Sequence, residues 1–137
     1  MTLTLDIVRR ILDAAVAEAH AQEVRLSFAV VDAQGHDLGL LRMEGAVAYT
    51  AGIARAKAQT AALMRRDSGE LSALFDMYPD LRSAIQAQVS FPMTTLVGGA
   101  AIWVEGTVIG GIGGSGAAPE VDLACARAGL AAVGLAT

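Results

Sequence analysis

The sequence predicts an α+β fold in which helices pack on an antiparallel sheet. Two segments, residues 24–43 and residues 100–112, each hold two strand-like stretches around a short turn. Apolar residues at helical spacing occupy the beginning, the middle and the end of the chain. Strands joined by tight turns pair antiparallel, so this pattern favours hairpins over βαβ units.

The N-terminal part predicts one helix followed by one hairpin. Thr4 is a favourable N-cap, and helical spacing of apolar residues continues to about Gln22. Alternating apolar residues over 24–30 then predict a strand, and the return strand is expected over 38–43 after a turn at 32–36.

The middle of the chain is predicted to be helical. After a loop at Glu44 and Gly45, a helix is expected from about Val47. A short helix capped by Asp67 or Ser68 is expected to break near Tyr78 and Pro79, with a further helical turn through Gln86.

The C-terminal part predicts a second hairpin and a final helix. Strands over 100–104 and 107–112 flank Glu105 and Gly106, where a tight turn calls for positive φ at the glycine. The last helix is expected to begin at Pro119. The segment "FPMTTL", residues 91–96, supplies a candidate for a fifth strand.

Composition excludes several classes of protein. A net charge of −4 without a basic stripe argues against nucleic-acid binding. No apolar run approaches the roughly 20 residues that a membrane span needs. The polar start without a signal peptide and the single Cys125 suggest a cytoplasmic location. The length predicts one domain over residues 1–137, and the many small apolar residues favour self-association.

The glycine-rich segment "GGIGGSGAAPEVD" contains the pattern G-x-G-x-x-G at Gly111, Gly113 and Gly116. A dinucleotide fold would need a further parallel strand after this loop, but only one helical segment follows. Two interpretations remain. The glycines allow close packing on the last strand, or backbone N–H groups around Ser115 and Gly116 hold an anionic ligand.

Four segments in order resemble the GlcG/HbpS family, which includes the C-terminal domain of PduO-type proteins. They are "AVVDAQGHDLGLLRMEGA", "ARAKAQTAA", "VEGTVIGGIGGSGA" and "DLACARAGL". The resemblance implies an α/β sandwich with a five-stranded antiparallel sheet and flanking helices, profilin-like or PAS-like. It also implies assembly as a dimer or a higher oligomer such as an octamer. Some members bind haem or a corrinoid, so a small-molecule ligand is expected.

The resemblance directs attention to the two histidines. A helix-borne histidine suits axial ligation of haem iron, which makes His20 the candidate haem ligand. The alternative is an ordinary surface histidine near a helix C-terminus. His36 lies in a predicted turn, where a histidine is usually solvated. Neither histidine has a metal-site spacing, so no metal is expected, and no cofactor other than haem.

Polar residues at the junction of the first hairpin and the second helix suggest an alternative function. Arg42, Glu44 and Tyr49 lie there, and Lys57 and Thr60 follow on one helix face. Lys57 or Arg42 would hold a carboxylate, and Lys57 or Glu44 would move a proton. This hypothesis describes a cofactor-independent enzyme acting on an aromatic or carboxylic-acid catabolite. Equally, Lys57 could extend to solvent or pair with Glu44.

One further feature leaves its interpretation open. Soft and aromatic residues near "FDMYPDL" could line an apolar pocket or plug a loop; they are Phe75, Met77, Tyr78, Phe91 and Met93. Three functions therefore stay open: a haem- or tetrapyrrole-binding protein, a small enzyme, and a non-catalytic oligomeric accessory domain.

Overall fold

The computed structural model describes residues 1–135 of the chain. A short 3₁₀ turn, Ser68–Glu70, precedes the third helix. The helices and strands are, in chain order, α1 Leu5–Ala21, β1 Ser27–Asp32, β2 Asp37–Arg42, α2 Thr50–Met64, α3 Leu71–Met77, α4 Pro79–Gln86, β3 Gly99–Val104, β4 Thr107–Ser115 and α5 Pro119–Ala132. No helix within residues 1–135 combines the length and the apolar character that a membrane span requires.

The strands form one four-stranded antiparallel sheet in the order β2-β1-β4-β3. The expectation of a five-stranded, profilin-like or PAS-like sandwich is therefore wrong. The structure is α+β, and its sheet has one strand fewer. Both hairpins are present, and the long connection runs from β1–β2 through the helices to β3–β4.

The predicted fifth strand at residues 91–96 is a loop. Gln86 at the end of α4 donates from Nε2 to the carbonyl of Phe91 at 2.7 Å, and its Oε1 accepts from the N–H of Met93 at 2.8 Å. Backbone groups that would have joined a β-ladder are thus satisfied by a side chain. The segment has no need of a strand partner.

Helices cover both faces of the sheet. Phe28 and Val30 of β1 belong to the large core formed with α1 and α5. Ala29 and Val31, which point the other way, pack against three alanines of α2, namely Ala54, Ala58 and Ala62. Because both faces are covered, five of the six β1 residues are buried.

Glycines of β4 bring α2 into backbone contact with the sheet. A Cβ on Gly111 would lie 2.3 Å from the carbonyl oxygen of Ala58, and one on Gly113 would lie 2.1 Å from that of Ala54. Any side chain at these positions would displace the helix. The packing interpretation of the glycine run is therefore confirmed at Gly111 and Gly113, and the antiparallel sheet contradicts a dinucleotide fold.

Local signals placed most element ends correctly. The Thr4 hydroxyl accepts from the N–H of Ile7 at 3.2 Å and caps α1. Gly106 has φ of 78°, the positive value that the tight turn required. The start of α2 was predicted three residues early. Val47 lies in the turn before the helix, and the Val47 carbonyl accepts from both the N–H and the hydroxyl of Thr50.

Candidate functional site

The predicted site residues line two separate clefts. We call the first the Lys57 cleft; it lies between α2, the end of β4 and the start of α5, with a volume of about 290 Å³. The second, the His20 cleft, lies between α1 and the end of β2, with a volume of about 550 Å³. The Lys57 cleft is lined by Val47, Tyr49, Thr50, Ile53, Lys57, Leu96, Ser115, Gly116, Ala117, Pro119 and Asp122. The His20 cleft is lined by Asp13, Val16, His20, Arg25, Leu41, Arg42, Met43 and Glu44.

A buried ion pair lies at the Lys57 cleft. Lys57 Nζ is 3.1 Å from Asp122 Oδ2 and donates to the carbonyl of Gly114 at 2.9 Å. Each side chain is only 3% exposed. A charged pair so far from water is sustained by its mutual attraction and by hydrogen bonds to both partners.

Asp122 receives two kinds of stabilising contact and still resists ionisation. Its Oδ1 accepts from the backbone N–H of Ala117 at 2.8 Å, and Lys57 holds the other oxygen. Burial nevertheless raises the pKa of the Asp122 carboxyl above its usual value of 3.8, against the opposing effects of these contacts. The carboxyl can therefore take up a proton more readily than an exposed aspartate.

Sequence reasoning missed Asp122 as a site residue. Asp122 lies in the first turn of α5, where the helix dipole is already a sufficient reason for an acidic residue. Its partner Lys57 is 65 positions away along the chain. The available signal was a carboxylate in the first helical turn after a glycine-rich strand, which does not by itself indicate a cation opposite.

Gly98 provides the room that the Lys57 ammonium occupies. A Cβ at Gly98 would lie 2.6 Å from Lys57 Nζ, and the residue has φ of +134°, which L side chains rarely adopt. Ser115, at the end of β4, is 5% exposed and lines the same cleft.

The His20 cleft combines one imidazole with two guanidinium groups. His20 lies in the last turn of α1. Arg25 donates from Nη1 to the carbonyl of Glu44 at 2.8 Å, and Arg42 donates from Nη1 to that of Ala46 at 2.9 Å. These bonds use one donor of each fork. The other donors of both guanidinium groups remain available to an acidic ligand group.

The structure divides the acid–base hypothesis between the two clefts. Lys57, Tyr49, Ser115 and Gly116 line the Lys57 cleft, whereas Arg42 and Glu44 line the His20 cleft. Lys57 pairs with Asp122 instead of Glu44.

Thr60 lines neither cleft. Its hydroxyl donates to the carbonyl of Ala56 at 2.7 Å and accepts from the N–H of Thr94 at 3.2 Å. The side chain thereby joins α2 to the loop that precedes β3, which is a structural role.

The remaining candidates lie outside both clefts. His36 is in the β1–β2 turn, where its backbone N–H donates to Asp32 Oδ1 at 3.0 Å. Phe75 and Met93 are buried with Leu71 as a plug beneath the loop, while Met77 and Tyr78 are exposed. Within the described part of the chain, no three His, Cys, Asp or Glu side chains group as a metal site would require.

Comparison with known proteins decides the family. Residues 3–131 match the family described as haem degrading protein HbpS-like. The chain belongs to the HbpS-like family. The resemblance noted from the four sequence segments is therefore confirmed.

Curated relatives include PduO proteins and protein GlcG. The chain is 30% identical over all of its 137 residues to the corrinoid adenosyltransferase PduO of Citrobacter freundii, and it covers 41% of that protein. It is 36% identical over 112 residues to protein GlcG of Escherichia coli K12, covering 81% of this chain and 79% of GlcG. The chain thus spans about two fifths of the length of the PduO relatives it matches.

Solved structures share the fold over nearly the whole chain. The crystal structure of a PduOC–haem complex superposes with a TM-score of 0.87 at 31% identity, covering 100% of this chain and 99% of that one. The crystal structure of HbpS also gives 0.87, at 32% identity, with 98% and 92% covered.

Proposed function

We propose that this protein binds haem, or a related tetrapyrrole, in the His20 cleft. The observation that carries the proposal is that a single cleft presents an imidazole, two guanidinium groups and apolar side chains. These three kinds of group match the three chemical parts of haem. Haem has an iron that accepts a nitrogen ligand, two acidic propionates and an apolar ring system.

Each part of the proposed site has a defined task. His20 would ligate the iron, and a haem held by one histidine can bind a further ligand at the iron. Arg25 and Arg42 would bind the propionates with the donors that the backbone carbonyls leave free. Val16, Leu41 and Met43 supply apolar surface in the same cleft.

Two comparisons support the proposal. The family is described as haem degrading, and the PduOC structure that superposes on the chain is a haem complex. Degradation of haem by this chain does not follow from the cleft, and the proposal is confined to binding.

The test is a titration of the protein with haemin, monitored by the absorbance of the haem. The wild-type protein should give a sharp, saturable Soret band with one haem per His20 cleft or per pair of clefts. His20→Ala should abolish the sharp band. His36→Ala is the matched control, because it removes the only other histidine, which lies in an exposed turn. Equal behaviour of the two variants would refute the assignment.

A second titration separates the arginines from the imidazole. Haemin dimethyl ester lacks the free propionates, so it should bind more weakly than haemin to the wild-type protein. Arg25→Met with Arg42→Met should weaken haemin and leave the ester little changed. The opposite ranking would show that the two guanidinium groups do not hold the propionates.

Self-association as a dimer or a higher oligomer such as an octamer is part of the proposal. It is supported by large apolar side chains at the surface of the α3–α4 region, where Met77 is 70% and Tyr78 is 54% exposed. Light scattering coupled to gel filtration measures the mass directly. A protomer mass at all concentrations would refute this part alone.

A further inference from the structure

We propose that the Lys57 cleft is a second ligand site, which binds a small monocarboxylate with an apolar body through Lys57 Nζ and Ser115 Oγ. This site lies apart from the His20 cleft, and it does not depend on the binding of haem.

The cleft opens where the close packing of α2 on β4 ends. Gly111 and Gly113 face α2 and lie against its backbone. Ser115 is the next residue of β4 on the same face, since side chains of a strand alternate. It is therefore the first position on that face to carry a side chain beyond the glycines, and it lines the cleft.

Two side chains at the base of the cleft can donate hydrogen bonds to an anion. An ammonium group has three N–H donors, and the structure assigns two of those of Lys57, to Gly114 and Asp122. The Ser115 hydroxyl supplies the second donor, since Ser115 lines the cleft and is 5% exposed. A ligand carboxylate can accept hydrogen bonds from both groups.

The walls select an apolar body for that carboxylate. Val47, Ile53, Leu96 and Pro119 line the cleft, and Tyr49 stands at its rim with much of its ring exposed. A volume of about 290 Å³ is at the small end of the range for ligand pockets. An aromatic or branched monocarboxylate of benzoate size suits this space.

Asp122 makes binding dependent on protonation. A bound carboxylate would share Lys57 with Asp122, and two carboxylates beside one ammonium repel each other. Lys57 and Asp122 are the only charged side chains that line this cleft among the described residues, with Tyr49 as the other titratable group. Cys125 on the same helix is the further titratable neighbour of Asp122. Protonation of Asp122 from solvent therefore accompanies entry of the anion.

The proposed coupling has a direction. Burial already raises the pKa of Asp122, and a second carboxylate nearby would raise it further. Affinity for the anion should therefore increase as the pH falls. A site in which Lys57 merely holds the helices together would show no such dependence.

The probe is sodium benzoate, with benzamide as a neutral molecule of the same shape, and binding is measured by NMR titration of ¹⁵N-labelled protein. Benzoate should shift the amide resonances around Ser115 and Asp122 saturably. Benzamide should bind about tenfold more weakly or not at all. A tenfold change in affinity is the same free-energy difference as one unit of pKa. Benzoate should bind more tightly at about pH 6 than at about pH 8; as a carboxylate it is ionised at both values.

Asp122→Asn is the decisive variant. It removes the competing charge, so benzoate affinity at about pH 8 should rise about tenfold and lose its pH dependence. Ser115→Ala and Lys57→Met should weaken benzoate binding. Arg55→Met is the matched control, since it removes an exposed cation of the same helix.

Three results would overturn the proposal: no saturable benzoate binding, equal binding of benzoate and benzamide, or a loss of affinity in Asp122→Asn. If Lys57→Met does not fold, the small changes Asp122→Asn and Ser115→Ala still decide the question. The haemin titration reports on the other cleft, so the two proposals can fail separately.

Discussion

Lys57 Nζ lies 3.1 Å from Asp122 Oδ2, although the two residues belong to helices on opposite faces of the sheet. The ammonium passes the end of β4 and also donates to the carbonyl of Gly114. One buried side chain thus connects α2, the central sheet and the first turn of α5. This relationship determines both the stability of that end of the molecule and the chemistry of the cleft.

Removal of Lys57 should destabilise the protein far more than removal of an exposed cation. Lys57→Met leaves the Asp122 carboxylate buried without its cation, which costs about 3–5 kcal/mol of unfolding free energy at neutral pH. Arg55→Met breaks an ion pair with Asp37 in which the side chains are 41% and 50% exposed, so it should cost at most about 1 kcal/mol. Urea unfolding of both variants measures the difference. Equal losses would mean that the buried pair contributes no more than a surface pair.

Asp122 should make the protein less stable as the pH rises above the acid range. Its pKa is raised above 3.8 in the folded protein by burial, so the folded state retains this proton to a higher pH than the unfolded state. The stability it contributes is complete below about pH 3.8 and is lost as the pH rises through the folded pKa.

Asp122→Asn isolates that contribution, because asparagine does not titrate. The unfolding free energy of wild type minus that of the variant should fall between about pH 4 and neutrality. Urea unfolding at several pH values gives both curves. Parallel curves would contradict a raised pKa at this residue.

The contact between α2 and β4 should not tolerate a methyl group. Gly113→Ala places a Cβ 2.1 Å from the carbonyl oxygen of Ala54 before any relaxation, and overpacking of this kind costs about 1–3 kcal/mol or more. Gly52→Ala, in the helix α2 that packs on β4, is the control. Its Cβ would meet nothing within 4 Å, and alanine stabilises a helix interior by about 0.5–1 kcal/mol relative to glycine.

Denaturation midpoints of the two glycine variants should therefore move in opposite directions. A neutral effect of Gly113→Ala would show that α2 can shift away from the sheet at little cost. The benzoate site would then lack the rigid wall on which its shape depends.

Cys125 should be inert in the folded protein. Burial, with smaller contributions from the charges of Glu18 and Asp122, raises the pKa of its thiol to about 11. The reactive thiolate is therefore scarce at about pH 8, and the side chain is fully buried. Iodoacetamide should label it only in denaturant, as mass spectrometry would show. Rapid labelling without denaturant would reveal frequent opening of α5.

The parts of the fold that sequence predicted depend on neighbouring residues. The Thr4 cap, the positive φ at Gly106 and the start of α5 at Pro119 are all set within a few positions of the chain. The strand count was wrong because residues 91–96 bond to Gln86 instead of a sheet edge. Strand-like composition does not reveal such a competitor.

The candidate site was recovered in pieces for the same reason. Arg42, Glu44 and Lys57 were singled out from their local surroundings and His20 through the family resemblance, and each does line a cleft. Which of the two clefts each side chain lines depends on how α1, α2 and the end of β2 pack in the folded chain.

By itself, the sequence determined the hairpins, most helix ends, the family and the close approach that the β4 glycines permit. These follow from backbone preferences and from patterns that span a few residues to a few tens of residues. Only the tertiary structure decided that Lys57 meets Asp122, that Ser115 lies in the same cleft and that the sheet has four strands. The physical reason is that the polar groups that are buried or paired come from segments far apart in the chain. Only packing brings these segments together.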